Sequence, residues 1–309
     1  MANIKELSKL EERFSSGHRA CSGCTAPLVV RMLMMAAGET PVVVGSATGC
    51  LEVVTTIFPY TAWKTPFIHS AFENSAATVS GVETAYRSLK KQGKYEDKDV
   101  RFVALGGDGG TYDIGFQSLS GAMERGHNMV YVCYNNEAYM NTGIQRSSAT
   151  PKFGETTTSP VGSVEPGKKQ FPKNLTKIMA AHGIPYVAQG IPSMWNDLIT
   201  KFQKALNCGG PAFVNVLAPC RLGWAFPSEK AIQIGRDAVD TCVWPLYEVV
   251  NGEYKITYKP KEKKPVEHYL KQQTRYRHLF KPGGEKAIEE IQKWVDSEWE
   301  KLKRLAGEE

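Results

Sequence analysis

The sequence predicts an α/β protein: a mostly parallel sheet covered by helices on both faces, with a C-terminal extension. Two observations carry this. Short β-branched runs alternate with segments of helical period up to residue 217, the pattern of repeated strand–helix units. Beyond residue 221 that alternation is lost in a stretch rich in Lys, Pro and Tyr.

Taken in order, residues 1–20 are polar and read as an irregular arm. Residues 26–37 read as a buried helix with Pro27 in its first turn and Gly38 ending it. Residues 41–45 form a β-branched run, hence a strand. Residues 71–92 carry Ala, Val and Leu on one side and Arg87, Lys90 and Lys91 on the other, a helical period. Residues 100–105 are a strand stopped by Gly106-Gly107, and 114–126 a helix whose Ser118, Ser120, Gly121 and Ala122 permit close packing. Residues 129–134 are a strand, 175–182 a helix, 186–189 a strand, 193–207 a helix and 212–217 a strand. In such sheets ligands bind beyond the carboxyl ends of the strands. Residues 149–173, with several Gly and Pro, form a long loop, either mobile or ordered by a partner. Residues 221–283 read as an extended arm wrapping a neighbouring subunit. Residues 284–306 read as an amphipathic helix, with Ile288, Ile291, Val295, Leu302 and Leu305 at helical spacing. The expected division is a catalytic domain over 1–225 and a C-terminal arm and helix over 226–309 making subunit contacts.

The apolar fraction of 42% over 309 residues suits a globular protein with a real core. A net charge of +6 is mild and does not call for a nucleic-acid partner. The opening Met1-Ala2-Asn3-Ile4-Lys5-Glu6 has no apolar core of a secretion signal, and runs such as Val42-Val43-Val44 are too short to span a bilayer, so the expected location is cytoplasmic, away from membranes. The seven cysteines are an odd number, which argues against a disulfide framework in that compartment.

Two constellations carry chemistry. Gly106-Gly107-Asp108-Gly109-Gly110 follows a strand and opens a helix: the glycines allow close approach to a phosphate, the free N–H groups face an anion, and Asp108 supplies a hard oxygen. Asn135-Asn136 follows the next strand, so Asp108 and Asn136 are expected at neighbouring strand tips. There Asp108, the Asn136 amide oxygen and a carbonyl two residues on would suit Mg²⁺ bound to a diphosphate. The G-x-G-x-x-G pattern of a dinucleotide site is absent. The second constellation is Cys21-Ser22-Gly23-Cys24 with Cys50 and Cys220, each of the last two following a strand. The C-x-x-C alone could be a redox pair, half a zinc site or chance; four thiolates converging above a sheet edge could hold a [4Fe-4S] cluster. Cys133, inside a strand, reads as a buried structural thiol, and Cys208 and Cys242 as inert.

The stretches His18-Arg19-Ala20-Cys21-Ser22-Gly23-Cys24, Ala47-Thr48-Gly49-Cys50-Leu51-Glu52-Val53-Val54, Phe58-Pro59-Tyr60-Thr61-Ala62-Trp63, residues 106–115 and residues 136–148 together closely resemble the β subunit of the pyruvate:ferredoxin oxidoreductase family. The resemblance covers roughly residues 17–225 and implies a thiamine-diphosphate-binding fold. It places the four cysteines of a [4Fe-4S] cluster on Cys21, Cys24, Cys50 and Cys220, and Mg²⁺ on Asp108, Asn136 and the carbonyl of Ala138. Cofactor contacts map onto Cys50, Gly107, Asp108, Gly109, Gly110, Asn136, Glu137, Ala138, Tyr139, Met140 and Asn141, with Asn141 matching the family's active-site asparagine. Some members carry a glutamate where this chain has Ala26, so any role of that carboxylate is absent.

The implied reaction is oxidative decarboxylation of pyruvate with coenzyme A to acetyl-CoA and CO₂, with single electrons passing through the cluster to ferredoxin. The implied partners are an α subunit supplying a pyrimidine-side glutamate, a γ subunit or domain, and a ferredoxin-like cluster subunit or domain; this chain lacks the C-x₂-C-x₂-C-x₃-C run of a ferredoxin. Rival readings keep the chemistry with oxalate, 2-oxoisovalerate, 2-oxoglutarate or an aryl-glyoxylate as substrate, drop the cluster to leave a thiamine decarboxylase, or make the chain a non-catalytic iron–sulfur scaffold or sensor. Tyr112 reads as a position that tunes the substrate pocket. His69 reads as a core histidine, with a place facing the site as the alternative.

Overall fold

The computed structural model describes residues 3–95 and 98–308. Met1 and Ala2 of the expected N-terminal arm, Glu96, Asp97, and Glu309 at the end of the C-terminal segment lie outside the described residues.

The chain runs through α1 (Ile4–Leu7), α2 (Ala26–Ala37), β1 (Val42–Ala47), α3 (Cys50–Thr55), β2 (Phe67–Ser70), α4 (Ser75–Lys91), β3 (Arg101–Gly107), α5 (Phe116–Glu124), β4 (Val130–Asn135), α6 (Leu175–Ala180), β5 (Tyr186–Gly190), α7 (Trp195–Asn207), β6 (Ala212–Leu217), α8 (Ala231–Asp240), β7 (Tyr247–Val250), β8 (Glu253–Ile256), α9 (Glu267–Leu270) and α10 (Glu285–Leu305). The eight strands form one sheet in the order β2-β1-β3-β4-β6-β5-β7-β8. The first six are parallel and the last two antiparallel, which gives the mostly parallel α/β sheet that the alternation predicts.

Period-2 alternation divides the sheet's side chains between two cores. Phe102 and Ala104 of β3, with Tyr131 and Cys133 of β4, meet Val79, Leu119 and Met179 from α4, α5 and α6. Val103 and Leu105, with Val130 and Val132, meet Val30 and Leu33 of α2 and Phe202 of α7 on the other face. Each fully buried Val, Leu, Phe or Met side chain among them contributes about 1.5–3 kcal/mol. A parallel sheet needs this cover on both faces.

Three expectations are corrected. The polar start contains a helical turn, and Phe14 is buried against Trp63, whose ring it meets edge-on at 5.0 Å. The 149–173 loop is held by the chain itself: Lys168 is buried and its Nζ donates to the carbonyls of Ser148 (3.1 Å) and Thr150 (2.5 Å). The segment 221–283 is not an extended arm. It adds α8, β7, β8 and α9 to the same sheet and core, burying Ile234, Tyr247, Val249, Tyr269 and Tyr276. Its strands and α9 are four residues each, too brief to display a period, while the helical period of α8 was overlooked. The helix expected over 284–306 is α10, which buries Ile291, Val295, Trp299 and Leu302. No helix among the described residues is long and apolar enough to cross a membrane.

Candidate functional site

Four neighbouring parallel strands, β1, β3, β4 and β6, end at one rim of the sheet. From those ends come Thr48-Gly49-Cys50, Asp108, Asn136 and Cys220. A cleft of about 310 Å³ opens there, lined by Thr48, Gly49, Cys50, Gly107, Gly109, Gly110, Asn136, Ala138, Tyr139, Met140, Asn141 and Thr142.

Asp108 lies fully buried in the floor. Its Oδ1 accepts from the Asn136 N–H at 3.2 Å and its Oδ2 from the Ser147 hydroxyl at 2.5 Å. Burial pushes its carboxyl up to about 7, against the pull of those two donors. One end of the Asn136 side-chain amide stands 2.9 Å from Asp108 Oδ1 and 2.8 Å from the carbonyl oxygen of Ala138. With the amide nitrogen there, both contacts are hydrogen bonds. With the amide oxygen there, three oxygens converge at the spacing of adjacent ligands on a hard dication bound at about 2.0–2.1 Å.

After Asp108 the chain enters a π-helical turn over Gly109–Ile114 before α5 begins. The helix expected over 114–126 is thus shorter, and the residues before it are spent on the widened turn. Gly109 is required by close approach: a Cβ there would stand 2.2 Å from the Tyr139 ring, whose hydroxyl donates to the Gly109 carbonyl at 2.9 Å.

The cysteines gather beside this cleft. The C-x-x-C turn closes with Cys24 N–H donating to the Cys21 carbonyl at 3.0 Å, and Thr25 donates to the Pro219 carbonyl at 3.2 Å, tying it to the Cys220 loop. Burial, then the neighbouring thiols of Cys220, Cys24 and Cys21, push Cys50 up to about 12; burial, opposed by the Ala26 N–H and reinforced by Cys220 and Cys21, pushes Cys24 up to about 11. Among the described residues no three His, Cys, Asp or Glu side chains are placed to grip one metal ion. Cys133 and Cys242 are buried.

Of the expected contact residues, Asp108 and Glu137 do not line the cleft: Asp108 lies buried beneath it, and Glu137 faces elsewhere. The Glu137 carboxylate turns from the cleft and pairs with Arg275 at 2.5 Å, both side chains buried. Asn141 stands at the exposed rim. Tyr112 does not reach the cleft: it is buried between β4 and β6, its hydroxyl accepting from Asn135 Nδ2 (3.1 Å) and Asn215 Nδ2 (2.7 Å). His69 is no core histidine; it is exposed, 2.8 Å from the Thr48 hydroxyl and 3.6 Å from Glu52.

Sequence reasoning missed Ser147 on Asp108, Ser148, whose hydroxyl and N–H both bind Asp113, and Trp224, whose Nε1 donates to the Asn136 carbonyl at 2.8 Å. The two serines end the motif stretch 136–148, so a signal was present. Arg275 had none: it lies 138 positions from Glu137.

Residues 44–216 match the family model for the thiamine pyrophosphate enzyme C-terminal TPP-binding domain. The chain is 56% identical over 296 residues to a pyruvate synthase subunit PorB of Methanocaldococcus jannaschii, covering 96% of this chain and 97% of the relative. It is 44% identical over 308 residues to a ketoisovalerate oxidoreductase subunit VorB of Pyrococcus furiosus, covering 98% and 97%. In fold it is similar to a chain of the 2-oxoglutarate:ferredoxin oxidoreductase from Magnetococcus marinus, with a TM-score of 0.56 at 22% identity, covering 74% of this chain and 82% of that one. Near-complete coverage at such identity, together with the TPP-domain match across the cleft-forming strands, means that the chain belongs to the PorB family of pyruvate synthase subunits, the β subunits of 2-oxoacid:ferredoxin oxidoreductases.

Proposed function

We propose that this chain is the β subunit of a complex that decarboxylates pyruvate with coenzyme A to acetyl-CoA and CO₂, passing the two electrons singly to ferredoxin. One observation carries the reading: at neighbouring strand ends the Asn136 side-chain amide stands 2.9 Å from Asp108 Oδ1 and 2.8 Å from the Ala138 carbonyl oxygen, in the cleft that Cys50 also lines. The donor set fits Mg²⁺ with the Asn136 amide oxygen turned toward Asp108 and the Ala138 carbonyl, which sets three hard oxygens together. Asp108, Asn136 and the Ala138 carbonyl would hold the ion, and the backbone of Gly107–Gly110 would approach the diphosphate. Thiamine diphosphate, when bound, supplies the carbanion that attacks the keto carbon of the acid.

The residues also fit a [4Fe-4S] cluster on Cys21, Cys24, Cys50 and Cys220. Besides their mutual coupling, the Gly223 N–H donates to Cys220 Sγ at 3.4 Å, the kind of bond that stabilises a thiolate ligand. Cys50 borders the cofactor cleft and belongs to the thiol group, which keeps the electron path short. Asn141, at the rim, is placed to orient a bound acid. An α subunit completes the pyrimidine side of the site. Phe58 (93% exposed) and Tyr60 (75% exposed) lie in the loop after α3, an apolar surface suited to such a contact. A γ subunit or domain, and a ferredoxin-like one to carry electrons out, complete the complex.

A second reading keeps the chemistry and takes 2-oxoisovalerate, favoured by the 44% identity to the ketoisovalerate oxidoreductase subunit. The test is anaerobic purification of the complex, iron and sulfide analysis, and viologen reduction with coenzyme A and a panel of pyruvate, 2-oxoisovalerate, 2-oxoglutarate and oxalate. About four irons attributable to this chain and fastest reduction with pyruvate are expected. Fastest reduction with 2-oxoisovalerate selects the second reading, and no reduction with any acid defeats both.

A further inference from the structure

We propose that Arg275 and Glu137 are positioning residues for the cation and diphosphate site. This inference rests on the thiamine-diphosphate reading above and deepens it. Glu137 sits between Asn136, whose amide faces Asp108, and Ala138, whose carbonyl faces the same point. Its φ is 67°, in the left-handed region that a residue with a Cβ avoids. That conformation sends the Glu137 side chain away from the cleft while both neighbours line it.

Four contacts clamp the turn. The Glu137 N–H donates to Asn135 Oδ1 at 3.0 Å, and its carbonyl accepts from the Thr150 hydroxyl at 2.7 Å. The Asn136 carbonyl accepts from Trp224 Nε1 at 2.8 Å. Arg275 closes the set: Nη2 donates to Glu137 Oε2 at 2.5 Å, Nε donates to Gln273 Oε1 at 2.9 Å, and the guanidinium lies 4.1 Å from the Trp224 ring centre and 5.0 Å from that of Tyr276. One guanidinium thus holds both the acid at the turn's apex and the indole that binds the preceding carbonyl. A buried ion pair adds little net stability, because desolvation offsets most of the attraction. What this pair supplies is orientation: it holds a disfavoured backbone turn so that the Asn136 side-chain amide and the Ala138 carbonyl point at one place.

The experiment uses the full complex stripped of cofactor, in the forms wild type, Arg275→Met, Glu137→Gln and the double variant. It reads the Mg²⁺ concentration that half-saturates thiamine-diphosphate binding in a fluorescence titration, alongside the melting temperature of the stripped complex. Arg275→Met is expected to raise the half-saturating concentration about 10–100-fold, the range for groups that support a metal ligand. The double variant should bind better than Arg275→Met alone, because no buried carboxylate is left unpaired. If the variants melt earlier but half-saturate within about threefold of wild type, the pair is only a staple for the C-terminal segment and the proposal is overturned. Should Arg275→Met fail to assemble, Glu137→Gln decides by the same threefold line, since it keeps the side chain's shape. Wild type that binds no thiamine diphosphate with Mg²⁺ sinks the parent reading and this inference with it; variants that match a binding wild type sink this inference alone.

Discussion

At Asp108 a buried carboxylate rests on the Ser147 hydroxyl and the Asn136 N–H, with its pKa pushed up to about 7. Replacing it with Asn keeps the shape and removes the charge. Asp108→Asn should raise half-saturating Mg²⁺ by more than about 100-fold, beyond the effect of groups that merely support a ligand, as measured by calorimetric titration of the stripped complex. The melting temperature without cofactor should hold or rise, because a costly buried carboxyl has gone. Tyr112 makes the opposite case. Its hydroxyl accepts from Asn135 and Asn215 deep in the core. Tyr112→Phe strands two amide donors and should cost about 1–3 kcal/mol in denaturant unfolding. The ratio of pyruvate to 2-oxoisovalerate turnover should not move; a tenfold change in that ratio would return Tyr112 to the substrate pocket. Asp108 was legible because glycines flank it immediately after a strand. Tyr112 was misread because adjacency in sequence to Asp113 says nothing about which way a π-helical turn faces.

Among the elements, α8 shows how the C-terminal region is secured. Asp237 at its buried side accepts from Gln233 and Gln272 and pairs with Lys264 and His268 at 3.1 Å each. Burial works against ionisation, but the hydrogen bonds from Gln272, Gln233 and Lys264 prevail, and the carboxyl is held below its ordinary range. An unfolded Asp titrates near 3.9, so this stabilisation is full above that pH and is lost as pH falls through the lower folded value. Asp237→Asn should cost about 2 kcal/mol at neutral pH, and the gap from wild type should close in acid. A constant gap from pH 7 down to 3 in urea titrations would show that charge is not what Asp237 contributes. α2 and β6 fall where their sequence patterns place them, since each is a long enough apolar run with clear stops. β2, β7 and β8 were not legible: at four residues apiece they fix no period, and their strand state comes from pairing with β1 and β5.

For the whole molecule, the residues after 225 complete the core and brace the site. β7 and β8 extend the sheet, α10 covers one face, and Arg275 reaches Glu137 behind the cleft residues Asn136 and Ala138. A chain ending at residue 225 should therefore lack a stable fold, not merely a subunit contact. It would expose the face on which Tyr247, Tyr269, Tyr276 and Val295 now pack. Limited proteolysis and urea unfolding of the truncated chain measure this; a soluble product with one cooperative transition would contradict it.

Taken alone, the order of residues determined the parallel α/β class and the strand ends bearing Gly106–Gly110 and Asn136, because each signal is local or recurs at a short, regular spacing. Only the folded chain decided that Glu137 faces backwards, that Tyr112 is core, and that an arginine from the far end of the chain braces the turn between Asn136 and Ala138. Those outcomes depend on which surfaces meet once the sheet is covered, and contacts between distant segments leave no periodic trace in the chain that makes them.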